Sequence, residues 1–186
     1  MSTRASLAPV ARPTPRILVA GMGNVLRGDD AFGVILARRL AATELPEGVH
    51  VVESGIAGIS LVQELIAGYD ALLILDAVAR GRPPGTLALL SPQVGDGAGL
   101  TDWQRHELFA DMHQADPSRT LVLARALDRL PRHVLILGCE PQECDDVMGE
   151  LTPAVAAAMT SALELATSTI NDWVRSGDLA RAVVSS

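Results

Sequence analysis

Two adjacent carboxylates follow a glycine-rich turn in the segment GMGNVLRGDDAFGV, residues 21–34. The turn comes after the apolar run RILVAG and before a segment with helical periodicity. A dinucleotide-binding turn has the spacing Gly-x-Gly-x-x-Gly and leaves the helix amino terminus open to pyrophosphate, and a phosphate loop ends in Gly-Lys-Ser/Thr. In this segment the third glycine is displaced and the lysine is missing. The sequence therefore disfavours a phosphate-binding function, and a site that presents carboxylates calls for a ligand of another kind.

Three aspartates could supply that acid. Asp29 and Asp30 fall in the first turn of the predicted helix, where a carboxylate caps free N–H groups and complements the helix dipole. We expect Asp29 to be the cap, which leaves Asp30 for another role. Asp76 ends the apolar run LLILD, where an unpaired carboxylate is costly to bury. In a common doubly wound order the first and third strands are neighbours, so Asp30 and Asp76 are predicted to share one carboxyl edge.

A histidine would complete a metal site. His50 and His133 lie in predicted strands, whereas His106 and His113 lie in a long irregular stretch, 92–115. Two carboxylates and an imidazole suit a borderline divalent ion such as nickel or zinc. The alternative for Asp76 is a structural carboxylate bonded to loop amides. On these residues alone the chain is a carboxylate-rich hydrolase or a metal-binding protein.

The elements that position these residues alternate along the chain. Helical periodicity predicts helices at 30–42, 59–67, 117–130 and from 152 onward, and short apolar runs predict strands at 16–21, 49–54, 71–78, 86–91 and 133–138. This order predicts a three-layer α/β/α sandwich with a mostly parallel five-stranded sheet and one antiparallel strand. The fourth strand is expected to form a hairpin with the third through the turn RPPGT. We expect a disordered amino-terminal extension at residues 1–15, a single α/β domain at 16–175 and a carboxyl-terminal tail at 176–186.

Composition limits the partners. The net charge of −7 argues against nucleic acid, and no apolar run reaches the length of about 18 residues that crosses a bilayer. Cys139 and Cys144 are too few for a disulfide framework. We therefore expect reduced cysteines, a cytoplasmic location and no membrane insertion.

The segment ILVAGMGNVLRGDDAFGVILARRL resembles the amino-terminal signature of the nickel-iron hydrogenase maturation endopeptidases. Later motifs of that family are matched in order by ESGIAG, LLILDAV, MHQADPSRTLVLARAL, LILGCEP and GELTPAV, over about residues 16–175. The resemblance implies an endopeptidase that acts once on the hydrogenase large-subunit precursor. It removes a carboxyl-terminal extension after nickel has been inserted, just beyond the motif Cys-x-x-Cys-x-x-His/Arg.

The resemblance also implies which residues do this. Asp30, Asp76 and His113 would bind the metal, and the two aspartates would be the catalytic residues of an aspartyl-type endopeptidase. The pair His113-Gln114 selects His113 over His106, and Asp30 stands where the family often has the longer Glu. Nickel is expected to arrive with the substrate, and zinc or cadmium could replace it in vitro. The expected substrate-binding residues are Gly23, Asn24, Asp29, Gly55 and Gly58.

Several alternatives remain open at this point. The glycines of the turn and of SGIAG, residues 54–58, either approach the substrate or serve only tight packing. Nickel either polarises the scissile carbonyl while a carboxylate activates water, or is only recognised while the carboxylates work alone. A nucleophilic Cys139 is a third mechanism. A nickel-binding adaptor that holds the large subunit without cutting it is the rival function, and a dinucleotide-dependent enzyme is a weaker third candidate.

The choice between the two loop histidines gives a first prediction. His113→Ala should severely reduce processing of the precursor, because a neutral imidazole completes a three-ligand set. His106→Ala is the matched control and should process the precursor at nearly the rate of the unmodified chain. The rates are compared by the shift of the precursor band on a gel. The reverse order of the two variants would contradict the assignment of His113.

Overall fold

The structure, a computed structural model, describes residues 14–56, 58–95, 117–142 and 149–176. Within these ranges the chain forms five strands, four α-helices and a short 3₁₀ helix at Gly28–Ala31. The strands are β1 Ile17–Met22, β2 Val49–Gly55, β3 Ala71–Ala77, β4 Leu87–Leu90 and β5 His133–Cys139. The helices are α1 Phe32–Ala41, α2 Gly58–Leu65, α3 Pro117–Ala126 and α4 Pro153–Ser176.

The strands form one sheet in the order β2-β1-β3-β5-β4. Every neighbouring pair is parallel except β4 and β5. The predicted five-stranded, mostly parallel sheet is thereby confirmed, as is the predicted contact between the first and third strands. The position of the fourth strand was predicted wrongly, because β4 pairs with β5 and not with β3. Strand β5 is apolar enough to need a neighbour on each side, whereas the short, half-exposed β4 suits an edge.

Helices cover both faces of the sheet. Alternate residues of β1 point to opposite faces, as the pleat requires: Ile17 and Val19 pack in one cluster, and Leu18 and Ala20 pack in the other. The first cluster contains the buried side chains of α1 and α4, and the second contains those of α2 and α3. The predicted α/β/α sandwich is therefore confirmed. None of the described helices combines the length and apolar character needed to span a bilayer.

The buried stripe of α4 differs slightly from the predicted one. Sequence spacing assigned Val155, Met159, Leu163, Ala166, Ile170 and Val174 to it. In the structure Leu163 and Val174 lie at its margin, and the central residues are Val155, Met159, Ala162, Ala166, Ile170 and Trp173. A helix of 3.6 residues per turn allows either choice at these steps. The tryptophan occupies the greater volume and takes the interior position.

The beginning of α1 lies unusually close to the sheet. A side chain at Gly33 would overlap the carbonyl oxygens of Leu75 and Met22, and one at Gly21 would overlap the Gly33 backbone. The helix can therefore touch the ends of β1 and β3 backbone to backbone. The preceding turn tightens into the 3₁₀ helix, so Asp29 and Asp30 precede α1 and do not form its first turn.

This contact predicts a large effect of one methyl group. Gly33→Ala should lower the free energy of unfolding by about 1–3 kcal/mol, because the backbone atoms that the methyl would meet cannot rotate away. Urea unfolding followed by circular dichroism measures the change. Gly95→Ala is the control, because a methyl there meets no atom of the described residues within 4 Å. Equal stability of the two variants would contradict the close approach of α1.

Candidate active site

Two glycine turns lie side by side at the carboxyl edge of the parallel strands. One follows β1 and the other follows β2, and the Gly23 N–H donates to the Gly55 carbonyl at 3.1 Å. Both glycines have left-handed backbone angles, with φ of 115° at Gly23 and 58° at Gly55. A side chain at Gly23 would also collide with the Asp30 carbonyl oxygen. Gly23 is thus required so that the first turn can close on Asp30.

Asp30 lies where this turn closes. Its Oδ2 accepts the Asn24 N–H at 3.0 Å, and the Asn24 side chain in turn accepts the Leu26 N–H at 3.0 Å. The amide side chain of Asn24 therefore shapes its own loop. Asp30 is only half-buried, and no hydrogen bond to its Oδ1 is found among the described residues. The carboxylate is thus held through one of its two oxygens.

Asp76 comes to the same edge from the neighbouring strand. It is buried near the end of β3, and its Oδ1 accepts the N–H of the next residue, Ala77, at 2.9 Å. The 3₁₀ helix that carries Asp30 packs against β3. The structure thus brings the two predicted carboxylates to one edge, as their positions in the sequence indicated.

The third predicted ligand, His113, and its rival His106 lie outside the described residues. Within the described ranges no group of three His, Cys, Asp or Glu side chains is close enough to hold a metal ion. His50 lies near the start of β2, edge-on to Tyr69 with ring centroids 5.7 Å apart, and His133 begins β5. Both histidines are at the opposite end of the parallel strands, so neither is near the two carboxylates.

Asp29 does not cap a helix, contrary to expectation. Its carboxylate is 1% exposed and accepts three hydrogen bonds, from the Gln142 N–H at 2.8 Å, the Thr152 N–H at 2.7 Å and the Thr152 hydroxyl at 2.9 Å. The residues preceding the 3₁₀ helix and α1 are Arg27 and Ala31, and neither makes a side-chain cap. Asp29 instead ties the turn to the two ends of the segment between β5 and α4. Its side chain therefore gives no support to the predicted role in substrate binding.

Gly58, another predicted substrate contact, lies buried in α2. A side chain there would overlap the Thr120 hydroxyl of α3, so this glycine permits close helix packing. The apolar side chains that do face solvent at this edge are Val25, Leu26 and Ile56, each about half exposed on the two glycine turns. They border the site that the two carboxylates define.

Glu140 is an important residue that sequence reasoning missed. It follows β5 and is 6% exposed, and its carboxylate accepts the Arg80 N–H at 2.8 and 2.9 Å and the Gly81 N–H at 2.9 Å. Burial raises the pKa of Glu140, but the N–H donors of the 80–82 loop outweigh this effect and hold the pKa below its usual value. An acid directly after a buried strand is the same signal that identified Asp76, and it could have identified Glu140.

Cys139 is unsuited to nucleophilic catalysis. The thiol is fully buried, and burial, followed by the nearby charges of Asp29 and Glu140, raises its pKa to about 11. A nucleophilic cysteine needs a thiolate that the substrate can reach. The cysteine mechanism is therefore rejected.

Comparison with known proteins agrees with this geometry. Residues 34–169 match the family model described as hydrogenase maturation protease. The chain belongs to the hydrogenase maturation protease family.

Individual relatives agree with the family assignment. The chain is 32% identical to the hydrogenase 2 maturation protease of Escherichia coli K12, over 80% of this chain and 87% of that protein. It is 31% identical to the hydrogenase expression/formation protein HupD of Rhizobium leguminosarum, over 87% and 77%. Among solved structures, the hydrogenase maturating endopeptidase HybD from E. coli is 29% identical, with a TM-score of 0.64 over 84% of this chain and 93% of that one. The chain is therefore a peptidase, and a non-cleaving adaptor is not supported.

The two neighbouring aspartates should respond differently to substitution. Asp29→Ala should lower the free energy of unfolding by about 1–3 kcal/mol, because it leaves buried donors at Gln142 and Thr152 without their acceptor. Asp30→Ala removes one bond to a half-exposed loop and should change stability by less than about 1 kcal/mol. Thermal and urea unfolding of both variants provide the measurement. The assignment of the structural role to Asp29 fails if Asp30→Ala is the less stable protein.

Proposed function

We propose that this peptidase removes the carboxyl-terminal extension of a nickel-iron hydrogenase large-subunit precursor and recognises the nickel that the precursor carries. The observation that supports this most strongly is the pair Asp30 and Asp76, which the 3₁₀ helix after β1 and the end of β3 bring to the carboxyl edge of the sheet. An acidic pair suits a cation and repels a phosphate. The contact between the glycine turn and Asp30 supports the same conclusion, because it places a carboxylate beside the turn.

The two carboxylates fit the nickel of a bound precursor by their donor chemistry. Oxygen donors from two elements leave coordination positions for the thiolates of the substrate, which soft and borderline metals favour. We propose His113 as the third ligand. Because Asp30 is one methylene shorter than glutamate, the substrate has to approach the turn closely, and Gly55, where a Cβ would meet no atom of the described residues within 4 Å, would permit this. Zinc or cadmium is expected to replace nickel in vitro.

The same pair of aspartates supplies the chemistry of cleavage. Nickel held by the substrate would act as a Lewis acid on the scissile carbonyl. An aspartate at a half-buried edge accepts the proton of an attacking water and later returns it to the leaving amine. The fixed Oδ2 of Asp30 orients the other oxygen toward the substrate. We propose the cytoplasm as the location of this reaction, since the cysteine content favours a reducing compartment.

Substitution of either carboxylate tests the proposal. Asp30→Ala and Asp76→Ala should each slow cleavage about 100-fold or more, because each removes a ligand and a proton acceptor. The intact mass of nickel-loaded precursor is followed over time by mass spectrometry. Cys139→Ala should cleave at nearly the normal rate, since the thiol is buried.

Two results would reject the site. Normal cleavage by both aspartate variants would show that the carboxylates are not needed. Binding of the precursor by the unmodified chain without any loss of mass would favour the adaptor over the peptidase.

A further inference from the structure

Strand β4 has an uncovered outer edge among the described residues. It lies at the end of the sheet and pairs only with β5. All four of its residues, Leu87–Leu90, are partly exposed. A strand with one free edge is a template for an additional strand, which a peptide can supply.

The hydrogen bonds around β4 show which of its backbone groups point outward. The Glu140 N–H donates to the Thr86 carbonyl at 2.9 Å, so Thr86 faces β5, and antiparallel alternation makes Ala88 and Leu90 face β5 as well. Leu87 is opposite Cys139, whose carbonyl accepts the Val78 N–H on the other side. Leu87 and Leu89 therefore direct their N–H and C=O groups to the outer edge.

A cleft of about 580 Å³ runs along this edge. Its walls are β4, Leu165 of α4, and the loop between β3 and β4, which contributes the exposed Arg80 and Arg82. The buried Glu140 fixes the backbone of this loop through Arg80 and Gly81. The loop thus places two exposed arginines in the lining of the cleft, in a chain of net charge −7. They favour an occupant with acidic groups.

The cleft lies close to the proposed active site, since Val78, two residues after Asp76, is part of its lining. Asp76 lies opposite Gly138, and Gly138 lies opposite Ala88, so the three residues form one row across the sheet. Strands are about 4.8 Å apart, which puts a strand added outside β4 about 14 Å from β3. Extended chain covers that distance in about four residues. A peptide cut at Asp76 can therefore cross the arginine loop and continue along β4.

We propose that the outer edge of β4 binds the extension that the peptidase removes, as an added parallel strand. This inference rests on the proposed function, because it assigns the occupant from the substrate. The first residues beyond the scissile bond pass Arg80 and Arg82, which bind a carboxylate of the extension. The following residues pair with the outward backbone groups of Leu87 and Leu89. The cleft thus binds the carboxyl-terminal extension, which is the part of the precursor that cleavage releases.

The first test uses the extension alone. Amide exchange of Leu87 and Leu89 is measured by NMR on the full chain, with and without a synthetic peptide of the extension sequence. We expect both amides to exchange about tenfold more slowly with the peptide, and a scrambled peptide to have a smaller effect. No cleavage is needed for this result, so it can fail or succeed independently of the proposed function.

Three outcomes of the exchange experiment would overturn the proposal. The amides could be equally slow with and without the peptide, which would mean that the chain itself covers the edge. Slowing that follows enzyme concentration alone would identify a second copy as the occupant. Unchanged fast exchange at saturating peptide would show that the extension binds elsewhere.

A matched pair of variants tests the backbone pairing during turnover. Leu89→Pro and Leu89→Ala both lose the leucine side chain, but only proline removes the outward N–H. We expect Leu89→Pro to raise KM about fivefold more than Leu89→Ala, with similar kcat. Equal KM values in two folded variants would contradict pairing at this residue. If Leu89→Pro does not fold, the exchange experiment still decides.

A charge test uses the arginines. The double variant Arg80→Gln/Arg82→Gln retains the backbone N–H groups that bind Glu140 and should raise KM about tenfold, with a weaker salt dependence. Arg129→Gln removes one exposed charge at the end of α3 and should leave KM unchanged. A double variant with the KM of the unmodified chain would reject the role of the arginines.

Discussion

The carboxyl edge of the parallel strands, where Asp30 and Asp76 lie, depends on a direct contact between the backbone of α1 and the backbone of the sheet. Because residues 21 and 33 are glycine, the start of α1 rests directly on the carbonyl groups at the ends of β1 and β3. The 3₁₀ helix before α1 is thereby brought against β3, next to Asp76. A larger residue at either glycine would lift the helix and move Asp30 away from its partner strand. Backbone packing thus determines the distance between the two carboxylates that we propose as catalytic groups.

The adjacent residues Asp29 and Asp30 have different roles: Asp29 is structural, and Asp30 is proposed to act in the site. Asp29 turns inward and joins the turn to Gln142 and Thr152, so it ties the glycine turn to the approach of α4. Asp30 is half-buried at the carboxyl edge, and among the described residues its carboxylate is held by the Asn24 N–H. Glu140 likewise fixes the 80–82 loop, because its carboxylate accepts hydrogen bonds from the Arg80 and Gly81 N–H groups. Two buried carboxylates therefore hold the loops on either side of Asp76.

Sequence patterns predicted the layers of this fold well because they depend on hydrophobic periodicity, which is a local property. The place of β4 was missed because pairing within a sheet depends on which strands compete for β5, and that competition is not local. The edge shared by Asp30 and Asp76 was predictable from the neighbouring positions of β1 and β3. The role of Asp29 was not, because its partners lie more than 110 residues away along the chain. His113 lies outside the described residues and stays a prediction.

The main proposal is that Asp30 and Asp76, at the carboxyl edge of the parallel strands, respond to nickel in the substrate. It is tested most directly by incubating the unmodified peptidase with nickel-loaded and nickel-free large-subunit precursor side by side, and following the intact mass of each. We expect the nickel-loaded precursor to lose its extension and the nickel-free precursor to keep its full mass. Cleavage of both precursors at the same rate would contradict it.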